Sequence, residues 1–271
     1  MTQARIHPPV YADNPYLGAL IEGHQERRRI LIGVPMTGLI RSEWHHARVA
    51  QYVPCNWSSS DHIYQLPELV PLGFSVADAR NVITHTAVTA GFEWLFFNDS
   101  DTILPPECFI RLNEYMRDPK VPVVCGLYFA KCDPPEPLVY RGRGNSYFRN
   151  WKLGDKVWLD GIPMGCTLIH VSLLKAMHAD APWYMAGGTQ RVKQVFDTPK
   201  IRWEDPESGA VRTFQGTEDL AWCDRVLKGD YLKKAGFAAV ARRKYPFLCD
   251  TRLFCWHIRE DGVKFPLKLE W

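Results

Sequence analysis

The sequence predicts an α/β fold with a mostly parallel sheet flanked by helices. Short apolar runs at residues 29–34, 93–97 and 121–126 have the length and composition of strands that are buried on both faces. Segments with helical periodicity separate these runs, and such alternation is typical of parallel sheets. The chain has 271 residues, of which 46% are hydrophobic and 23% charged, so a hydrophobic core of ordinary size is expected.

The first predicted strand, residues 29–34, follows a charged stretch and ends at Pro35. The next predicted element is a helix over residues 75–91, because apolar residues recur there close to helical spacing. Ser75 is its predicted N-cap and Gly91 its C-terminal stop.

The predicted strand at residues 93–97 runs directly into residues 98–101, of sequence NDSD. Pro105 and Pro106 are expected to open another helix, since proline is favoured in the first helical turn. The strand at residues 121–126 follows that helix. The polar residues after the middle strand therefore lie at the carboxyl edge of the predicted sheet, where open α/β sheets bind ligands.

The second half of the chain is predicted to be less regular. Residues 132–158 are expected to form hairpins or a mobile loop. The elements expected after them, in order, are a strand over 164–171, a short helix over 173–177 capped by Ser172, a hairpin over 201–214, a helix capped by Thr217 that ends at Gly236, and a strand over 237–240. We predict one domain over residues 1–271, with residues 1–28 as an N-terminal extension and 259–271 as a C-terminal tail.

Charge and hydropathy exclude several classes of protein. The 33 basic and 30 acidic residues give a net charge of +3, which does not indicate wholesale binding to nucleic acid or to an anionic membrane. The apolar runs are far shorter than the roughly 20 residues of a spanning helix. Residues 1–28 do not resemble a signal peptide. The eight cysteines form no CxxC pair and are expected to be reduced, so we predict a cytoplasmic protein without a transmembrane segment.

Asp99 and Asp101 form the central candidate site. Beyond the end of a strand, two carboxylates at this spacing can converge on one divalent cation, and their hard oxygen ligands suit Mg²⁺ or Mn²⁺. The alternative is a structural turn, because aspartate and serine are common before helices.

The segment FFNDSDTILPP, residues 96–106, resembles the DxD segment of nucleotide-sugar glycosyltransferases with the GT-A fold, especially the family 2-like group of bacteria and phages. Other segments resemble further motifs of that family in the same order. They are Ala79-Arg80-Asn81, the small-residue segment 165–169, Thr217-Glu218-Asp219 with Trp222-Cys223 and Arg225, and a late histidine, His257. The resemblance covers roughly residues 29–258.

The resemblance implies a GT-A fold, with a small hairpin-rich acceptor region, and a metal-dependent transfer of a sugar from a nucleoside-diphosphate sugar to an acceptor hydroxyl. Asp101 and His257 would hold Mn²⁺ or Mg²⁺. Asp99 would contact the metal shell or the ribose and sugar hydroxyls, and Ser100 would lie against the donor. A cation that bridges the diphosphate would stabilise the charge that develops on the leaving group.

The resemblance also assigns the acid–base chemistry. Asp219 would take the proton from the acceptor hydroxyl, and Glu218 would contact donor or acceptor hydroxyls. Because a helix N-terminus stabilises the charged carboxylate and lowers its basicity, burial or nearby carboxylates would have to offset that effect. The alternative is that both acids only complement the helix N-terminus. A positioned base favours inversion at the anomeric carbon.

The nucleotide is expected at the end of the first strand. By resemblance, Pro35 and Thr37 would hold the nucleobase and ribose, and Arg80 would reach the base or the diphosphate. The alternative for Arg80 is a solvated charge on a helix face. The family usually has an acidic residue near the end of its second strand, and Asp61 is a candidate for it.

The segment over residues 140–158 mixes basic and aromatic side chains. An acceptor glycan, a lipid-phosphate acceptor and modified, hydroxymethylated DNA all suit this mixture. Binding to DNA would depend on Arg141, Arg143 and Lys152. The alternative is an amphipathic hairpin with one face in the core.

Three other functions compete with glycosyl transfer. Phosphohydrolases of the haloacid dehalogenase type also carry DxD after a strand, with the first aspartate as nucleophile, but in their first strand and with Thr or Val where this chain has Ile103. Sugar nucleotidyltransferases have an early glycine-rich loop that this sequence lacks. A non-catalytic protein that binds nucleotide sugars or carbohydrate is the third alternative.

Overall fold

A mixed sheet forms the centre of the computed structural model, which describes residues 30–36, 38–54, 62–64, 73–142 and 147–268, without the side chains of residues 62–64 and 214. In spatial order, the seven strands of this sheet are β2 (His62–Tyr64), β1 (Ile30–Gly33), β3 (Trp94–Asn98), β7 (Cys166–His170), β5 (Val123–Leu127), β12 (Phe247–Phe254) and β6 (Lys156–Leu159).

Helices cover the sheet, and smaller strand pairs surround it. The described helices are α1 (Ser42–Val49), α2 (Val76–Thr89), α3 (Cys108–Arg117), α4 (Val171–Asp180), α5 (Glu218–Lys228), α6 (Tyr231–Lys234) and α7 (Ala238–Ala241). The remaining strands are β4 (Thr102–Ile103), β8 (Trp183–Ala186), β9 (Gln190–Lys193), β10 (Lys200–Glu204), β11 (Val211–Gln215), β13 (Trp256–Ile258) and β14 (Lys264–Phe265).

The hydrophobic core lies on both faces of the sheet. All residues of β3 are buried, and alternate side chains point to opposite faces. Trp94 and Phe96 pack with Phe109 of α3 on one face, whereas Leu95 packs with Ile83 of α2 on the other. Burial on both faces explains the continuous apolar runs in the sequence and confirms the predicted α/β fold class.

The predicted helix over residues 75–91 is α2. Ser75 caps it as predicted, because its hydroxyl accepts a hydrogen bond from the Asp78 backbone N–H at 3.1 Å. Gly91 follows the helix with a φ of +76°, a conformation that glycine adopts without steric cost.

The prediction of a mostly parallel sheet is confirmed in part, because the sheet is mixed. β1 pairs in parallel with β2 and β3, and β5 with β12, but β7 is antiparallel to both of its neighbours and β6 is antiparallel to β12. The reason lies at the start of β7, where Cys166 pairs with Asn98, the last residue of β3. The chain thus enters β7 at the carboxyl end of β3 and runs back along it.

Two predicted features around α4 and α7 are also wrong. The cap of α4 is His170, whose ring accepts a hydrogen bond from the Ser172 backbone N–H at 3.3 Å, so Ser172 lies inside the helix. The strand predicted over residues 237–240 is instead the short helix α7, which begins at Ala238.

The helix predicted from Thr217 to Gly236 is interrupted. Thr217 is its N-cap residue, but α5 ends at Lys228 and a separate short helix, α6, follows. The interruption occurs at Asp230, whose φ of 55° lies in the left-handed region and breaks the helical hydrogen-bond pattern. Gly236 ends α6 with a φ of 93°.

The hairpin predicted over residues 201–214 is the antiparallel pair β10 and β11. The hairpins predicted over 132–158 appear, among the described residues, as isolated bridges such as the one between Tyr140 and Tyr147, and the segment ends in β6. Part of the predicted C-terminal tail forms β14, which pairs with β13. The predicted N-terminal extension lies outside the described residues. Within the described ranges, no helix has the length and apolar character needed to cross a membrane.

Asn81, in the Ala-Arg-Asn segment, connects α2 by hydrogen bonds to the segment that follows β9. Its side-chain amide donates to the Phe196 carbonyl at 2.8 Å and to the Tyr184 hydroxyl at 2.8 Å. Its side-chain oxygen accepts from the backbone N–H groups of Val195 at 2.8 Å and Phe196 at 2.7 Å. Asn81 is 1% exposed, so these groups have no ready access to water.

We predict that Asn81→Ala lowers the free energy of unfolding by about 3 kcal/mol, because it leaves buried backbone donors unsatisfied. Asn81→Asp should not restore stability, since a carboxylate cannot donate to the Phe196 carbonyl. Chemical denaturation measures both effects. Asn150→Ala, at an exposed position, is the control and should change stability by less than about 0.5 kcal/mol. Equal stabilities of the Asn81→Ala and Asn150→Ala chains would contradict the prediction.

Candidate functional site

The candidate site lies at the carboxyl end of β3. The turn after β3 carries Asp99 and Asp101, and α2 brings Arg80 towards that turn. The first turn of α5 supplies Glu218, and β13 supplies His257 because it pairs with β4 immediately after the turn. Distant parts of the sequence thus meet at the edge of the sheet where ligand sites were expected.

Arg80 joins two of the predicted motifs. Its guanidinium donates to Asp99 Oδ2 at 2.9 Å and to Glu218 Oε1 at 3.1 Å. Arg80 is 2% exposed, and its charged group lies over the ring of Phe97 at 5.0 Å. Burial alone would lower the arginine pKa, but the charges of Asp99 and Glu218 outweigh it and raise that pKa. The alternative of a solvated charge on a helix face is therefore wrong.

Two buried polar atoms in this group have no hydrogen-bond partner among the described residues. They are Arg80 Nη1, a donor, and Asp99 Oδ1, an acceptor. Burial raises the pKa of Asp99, and the charge of Arg80 only partly opposes this shift. Because unsatisfied buried polar groups are costly, a ligand that supplies an acceptor to Arg80 and a donor to Asp99 would be stabilised here.

Asp101 occupies a different environment from Asp99. Its Oδ2 atom lies 2.6 Å from Lys131 Nζ and 3.2 Å from His257 Nε2. Burial opposes ionisation, but the hydrogen bond from His257 and the nearby charges of His257 and Lys131 hold the pKa of Asp101 well below its usual value. This carboxylate is therefore charged at neutral pH.

A hydrogen bond from the second ring nitrogen of His257, Nδ1, orients this side chain. His257 Nδ1 lies 2.9 Å from the Phe129 carbonyl oxygen, which can only accept a hydrogen bond, so Nδ1 is protonated. The ring also packs edge-on against Tyr128, with centroids 5.3 Å apart. Such a backbone hydrogen bond is how metal-binding histidines are usually held, and it leaves Nε2 directed at Asp101.

The three predicted metal ligands are not equivalent. Asp101 and His257 lie together, whereas the Oδ2 atom of Asp99 contacts Arg80. Across the described residues, no group of three or more His, Cys, Asp or Glu side chains is arranged to hold a metal ion. Asp101 and His257 have the donor atoms for Mg²⁺ or Mn²⁺, but an ion here would need further oxygen ligands from water or from a bound molecule.

Asp219 is more basic than an ordinary aspartate. Burial is the main cause, followed by the negative charge of Glu218, and together they raise the pKa of Asp219 to about 6. Its Oδ1 atom accepts a hydrogen bond from the Leu220 backbone N–H at 2.7 Å. Burial and the neighbouring carboxylate thus outweigh the helix N-terminus, which was the physical objection to Asp219 as a base.

Two clefts meet at Ser100 and Asp101. The residues that line the first are Pro35, Met36, Phe74, Val76, Ala79, Asp99, Ser100 and Asp101. Those that line the second, larger cleft are Leu39, Ile40, Arg41, Ser42, Ser100, Asp101, Lys131, Ile258, Arg259 and Glu260. Pro35, which was predicted to contact the nucleoside, therefore lines the same cleft as Asp99 and Asp101. Thr37 and Asp61, also predicted there, lie outside the described residues.

The basic aromatic segment is partly structural. The Arg141 guanidinium packs over the rings of Phe148 at 3.7 Å and Tyr245 at 4.7 Å, and its Nε donates to the Trp158 carbonyl at 3.0 Å. These contacts favour the packing alternative for Arg141. Arg143 lies outside the described residues, and Lys152 is exposed.

Two further residues of the site, Lys131 and Tyr128, lie in no sequence motif. Both follow β5, and the only sequence signal was their position just after a buried strand. The Tyr128 hydroxyl accepts a hydrogen bond from the Gly165 backbone N–H at 2.8 Å. A Cβ atom on Gly165 would come within 2.5 Å of that hydroxyl and 2.6 Å of Thr102 Oγ1, so the site requires glycine there.

Comparison with known proteins supports the fold alone. No family model matches the chain, and no curated protein matches it. Among the solved structures that match is one described as the crystal structure of A197 from STIV, with a TM-score of 0.52 and 14% sequence identity. The alignment covers 88% of this chain and 90% of that chain.

We predict that Arg80→Met lowers the free energy of unfolding by about 3 to 5 kcal/mol, because it leaves two carboxylates without their buried partner. Arg80→Lys should recover only part of this loss, since one ammonium group cannot reproduce the forked contacts of arginine. Thermal and chemical denaturation at neutral pH measure both effects.

Arg111→Met provides the control for Arg80→Met, because Arg111 pairs with Glu114 at 3.0 Å on the surface. Loss of such an exposed pair should cost at most about 1 kcal/mol. If Arg80→Met were no more destabilising than Arg111→Met, the structural role assigned to Arg80 would be incorrect.

Proposed function

We propose that the chain is a glycosyltransferase of the GT-A type that transfers a sugar from a nucleoside-diphosphate sugar to an acceptor hydroxyl. The observation that carries the proposal is the buried contact of Arg80 with both Asp99 and Glu218, beside a cleft that continues to Pro35. This contact unites the DxD segment, the Ala-Arg-Asn segment and the Thr-Glu-Asp segment, which the family resemblance had linked only by their order along the chain.

The donor would occupy the first cleft, with its nucleoside near Pro35 and Met36. Its diphosphate would lie near Ser100 and Asp101, where the two clefts meet. The unsatisfied Arg80 Nη1 would donate to a donor oxygen, and the unsatisfied Asp99 Oδ1 would accept from a ribose or sugar hydroxyl.

Asp101 and His257 would hold Mg²⁺ or Mn²⁺ in the donor complex. Such an ion, when bound, stabilises negative charge on the leaving diphosphate. His257 is held for this role by the Phe129 carbonyl, and Asp101 remains ionised at neutral pH because of its low pKa.

Asp219 would act as the base. As the acceptor oxygen bonds to the anomeric carbon, its proton passes to the Asp219 carboxylate, and the bond from the anomeric carbon to the diphosphate oxygen breaks with its electron pair on that oxygen. A pKa of about 6 leaves most of the carboxylate deprotonated at neutral pH and still basic enough to accept the proton. A base on the acceptor hydroxyl corresponds to inversion, and the acceptor is a glycan or hydroxymethylated DNA.

Donor binding can be tested by thermal unfolding with UDP, GDP, CDP and dTDP sugars, each with and without Mn²⁺. We expect one nucleotide to stabilise the chain in the presence of Mn²⁺, and a ligand at 100 times its Kd contributes about 2.7 kcal/mol. Asp101→Ala should abolish this effect.

Asp118→Ala should not abolish the stabilisation by the nucleotide, because Asp118 is an exposed partner of Lys120. A chain that responds to none of the nucleotides would refute the donor site. It would then favour the phosphohydrolase or the non-catalytic carbohydrate-binding alternative.

Asp219→Asn should reduce the rate of transfer by about 10²- to 10⁴-fold, since the amide cannot accept the proton. With the native chain, the rate should rise with pH through about 6 as Asp219 loses its proton. Initial rates of nucleoside diphosphate release between pH 5 and 8 measure both effects. A native rate that does not depend on pH across this range would contradict the role of Asp219.

The same variant should be more stable than the native chain at pH 8. The folded-state pKa of Asp219 is raised from 3.8 to about 6, so its buried charge destabilises the fold above pH 6 and has no effect below pH 3.8. The difference in melting temperature between Asp219→Asn and the native chain should therefore shrink as the pH falls from 8 to 4. A lower melting temperature for Asp219→Asn than for the native chain at pH 8 would show that the buried charge of Asp219 does not destabilise the fold.

A further inference from the structure

Lys131 is a basic residue of the candidate site that lies in none of the sequence motifs. It follows β5 in a segment fixed by the hydrogen bond from the Ala130 backbone N–H to the Glu136 carbonyl at 2.8 Å. Its ammonium group reaches Asp101 Oδ2 at 2.6 Å and lines the larger cleft. The Lys131 side chain is 28% exposed and that of Asp101 is 41% exposed, so the pair is open to a ligand in that cleft.

The oxygen that Lys131 contacts is also the one that faces His257. His257 Nε2 lies 3.2 Å from Asp101 Oδ2, and this pair supplies the donor atoms suited to a divalent cation. An ion held between them would lie against the Lys131 ammonium. Because like charges at such distances repel strongly, the ammonium group has to move away when an ion binds.

We propose that Lys131 and a divalent cation are alternative partners of Asp101, and that the diphosphate of the donor drives the exchange. When the donor binds, the Lys131 ammonium moves from Asp101 to the diphosphate, and the cation takes its place. The inference rests on the proposed function, which supplies the diphosphate. It makes Lys131 a residue that binds the leaving group and that also suppresses cation binding in the absence of donor.

Other cations that line the larger cleft are less suited to this exchange. Arg41 pairs with Glu43 at 2.8 Å, and Arg259 pairs with Asp261 at 2.6 Å, so each keeps its own carboxylate when an ion binds to Asp101. Lys131 loses its carboxylate partner in that event. Its flexible stem and compact charge allow it to move to a nearby phosphate oxygen.

The first test measures Mn²⁺ binding to the full chain without nucleotide, by calorimetry and by the paramagnetic resonance signal of free Mn²⁺. Lys131→Met should bind Mn²⁺ about fivefold more tightly than the native chain, because the competing ammonium is gone. Lys131→Arg, which keeps the charge, should bind it like the native chain. Lys120→Met removes a lysine that pairs with Asp118 at 3.0 Å on the surface and is the matched control.

The second test uses inorganic pyrophosphate with saturating Mn²⁺ as the probe for the leaving group. Lys131→Met should bind it about fivefold more weakly than the native chain, and Lys131→Arg should retain most of the affinity. Opposite changes for Mn²⁺ alone and for pyrophosphate distinguish exchange from a structural defect, which would weaken both.

The exchange is refuted if Mn²⁺ affinity is the same in the native chain and Lys131→Met, or if neither binds Mn²⁺. A result that refutes the exchange does not refute the donor site, because thermal stabilisation by a nucleotide sugar tests that site separately. Conversely, if Lys131→Met shows the expected changes and no nucleotide sugar stabilises the native chain, the site binds a cation and a diphosphate without being a transferase.

Discussion

The candidate site depends on one buried arginine between two carboxylates. Arg80 and Glu218 are 138 residues apart in the sequence, yet their charged groups lie 3.1 Å apart. A guanidinium that is almost fully buried needs anionic partners, and here these come from the turn after β3 and from the first turn of α5. The position of α5, and with it the position of Asp219, is therefore linked to the turn that carries Asp99 and Asp101.

The carboxylates of the candidate site have environments suited to different tasks. Asp101 is kept ionised because His257 and Lys131 face it, which suits a ligand for cations. Asp219 is buried beside another acid, which raises its pKa to about 6 and suits proton transfer. Titratable groups whose environments separate their pKa values are a common basis for acid–base chemistry in enzymes. The fold places Asp101 and Asp219 near the same edge of the sheet, in environments that shift their pKa values in opposite directions.

Sequence patterns predicted the elements that are defined by local rules. The strand before Asp99 was predictable because it is buried on both faces, and α2 was predictable from its periodicity and from Ser75. The direction of β7 was not, since the side-chain pattern of a buried strand is the same in a parallel and an antiparallel pair. The direction of β7 is visible only in the strand pairing, in which Cys166, the first residue of β7, lies opposite Asn98, the last residue of β3.

The site residues show the same division between local and tertiary information. Asp99, Asp101 and Asp219 could be predicted as site residues because they lie in motifs, but the sequence could not show that Arg80 is buried or that it bridges two motifs. Lys131 lies in no motif and gains its importance only from the fold. It reaches Asp101 across 30 residues of sequence. The contact forms because β3 and β5 run in the same direction on either side of β7 and so end at the same edge of the sheet.

The most direct measurement is ³¹P nuclear magnetic resonance of a nucleotide sugar during turnover, with the acceptor or with water in its place. If the site performs glycosyl transfer, the bond between the anomeric carbon and the diphosphate breaks, and nucleoside diphosphate is the only new phosphorus species. Release of inorganic phosphate or of a sugar phosphate would mean that a bond to phosphorus is broken instead. That result would contradict glycosyl transfer and support a phosphohydrolase.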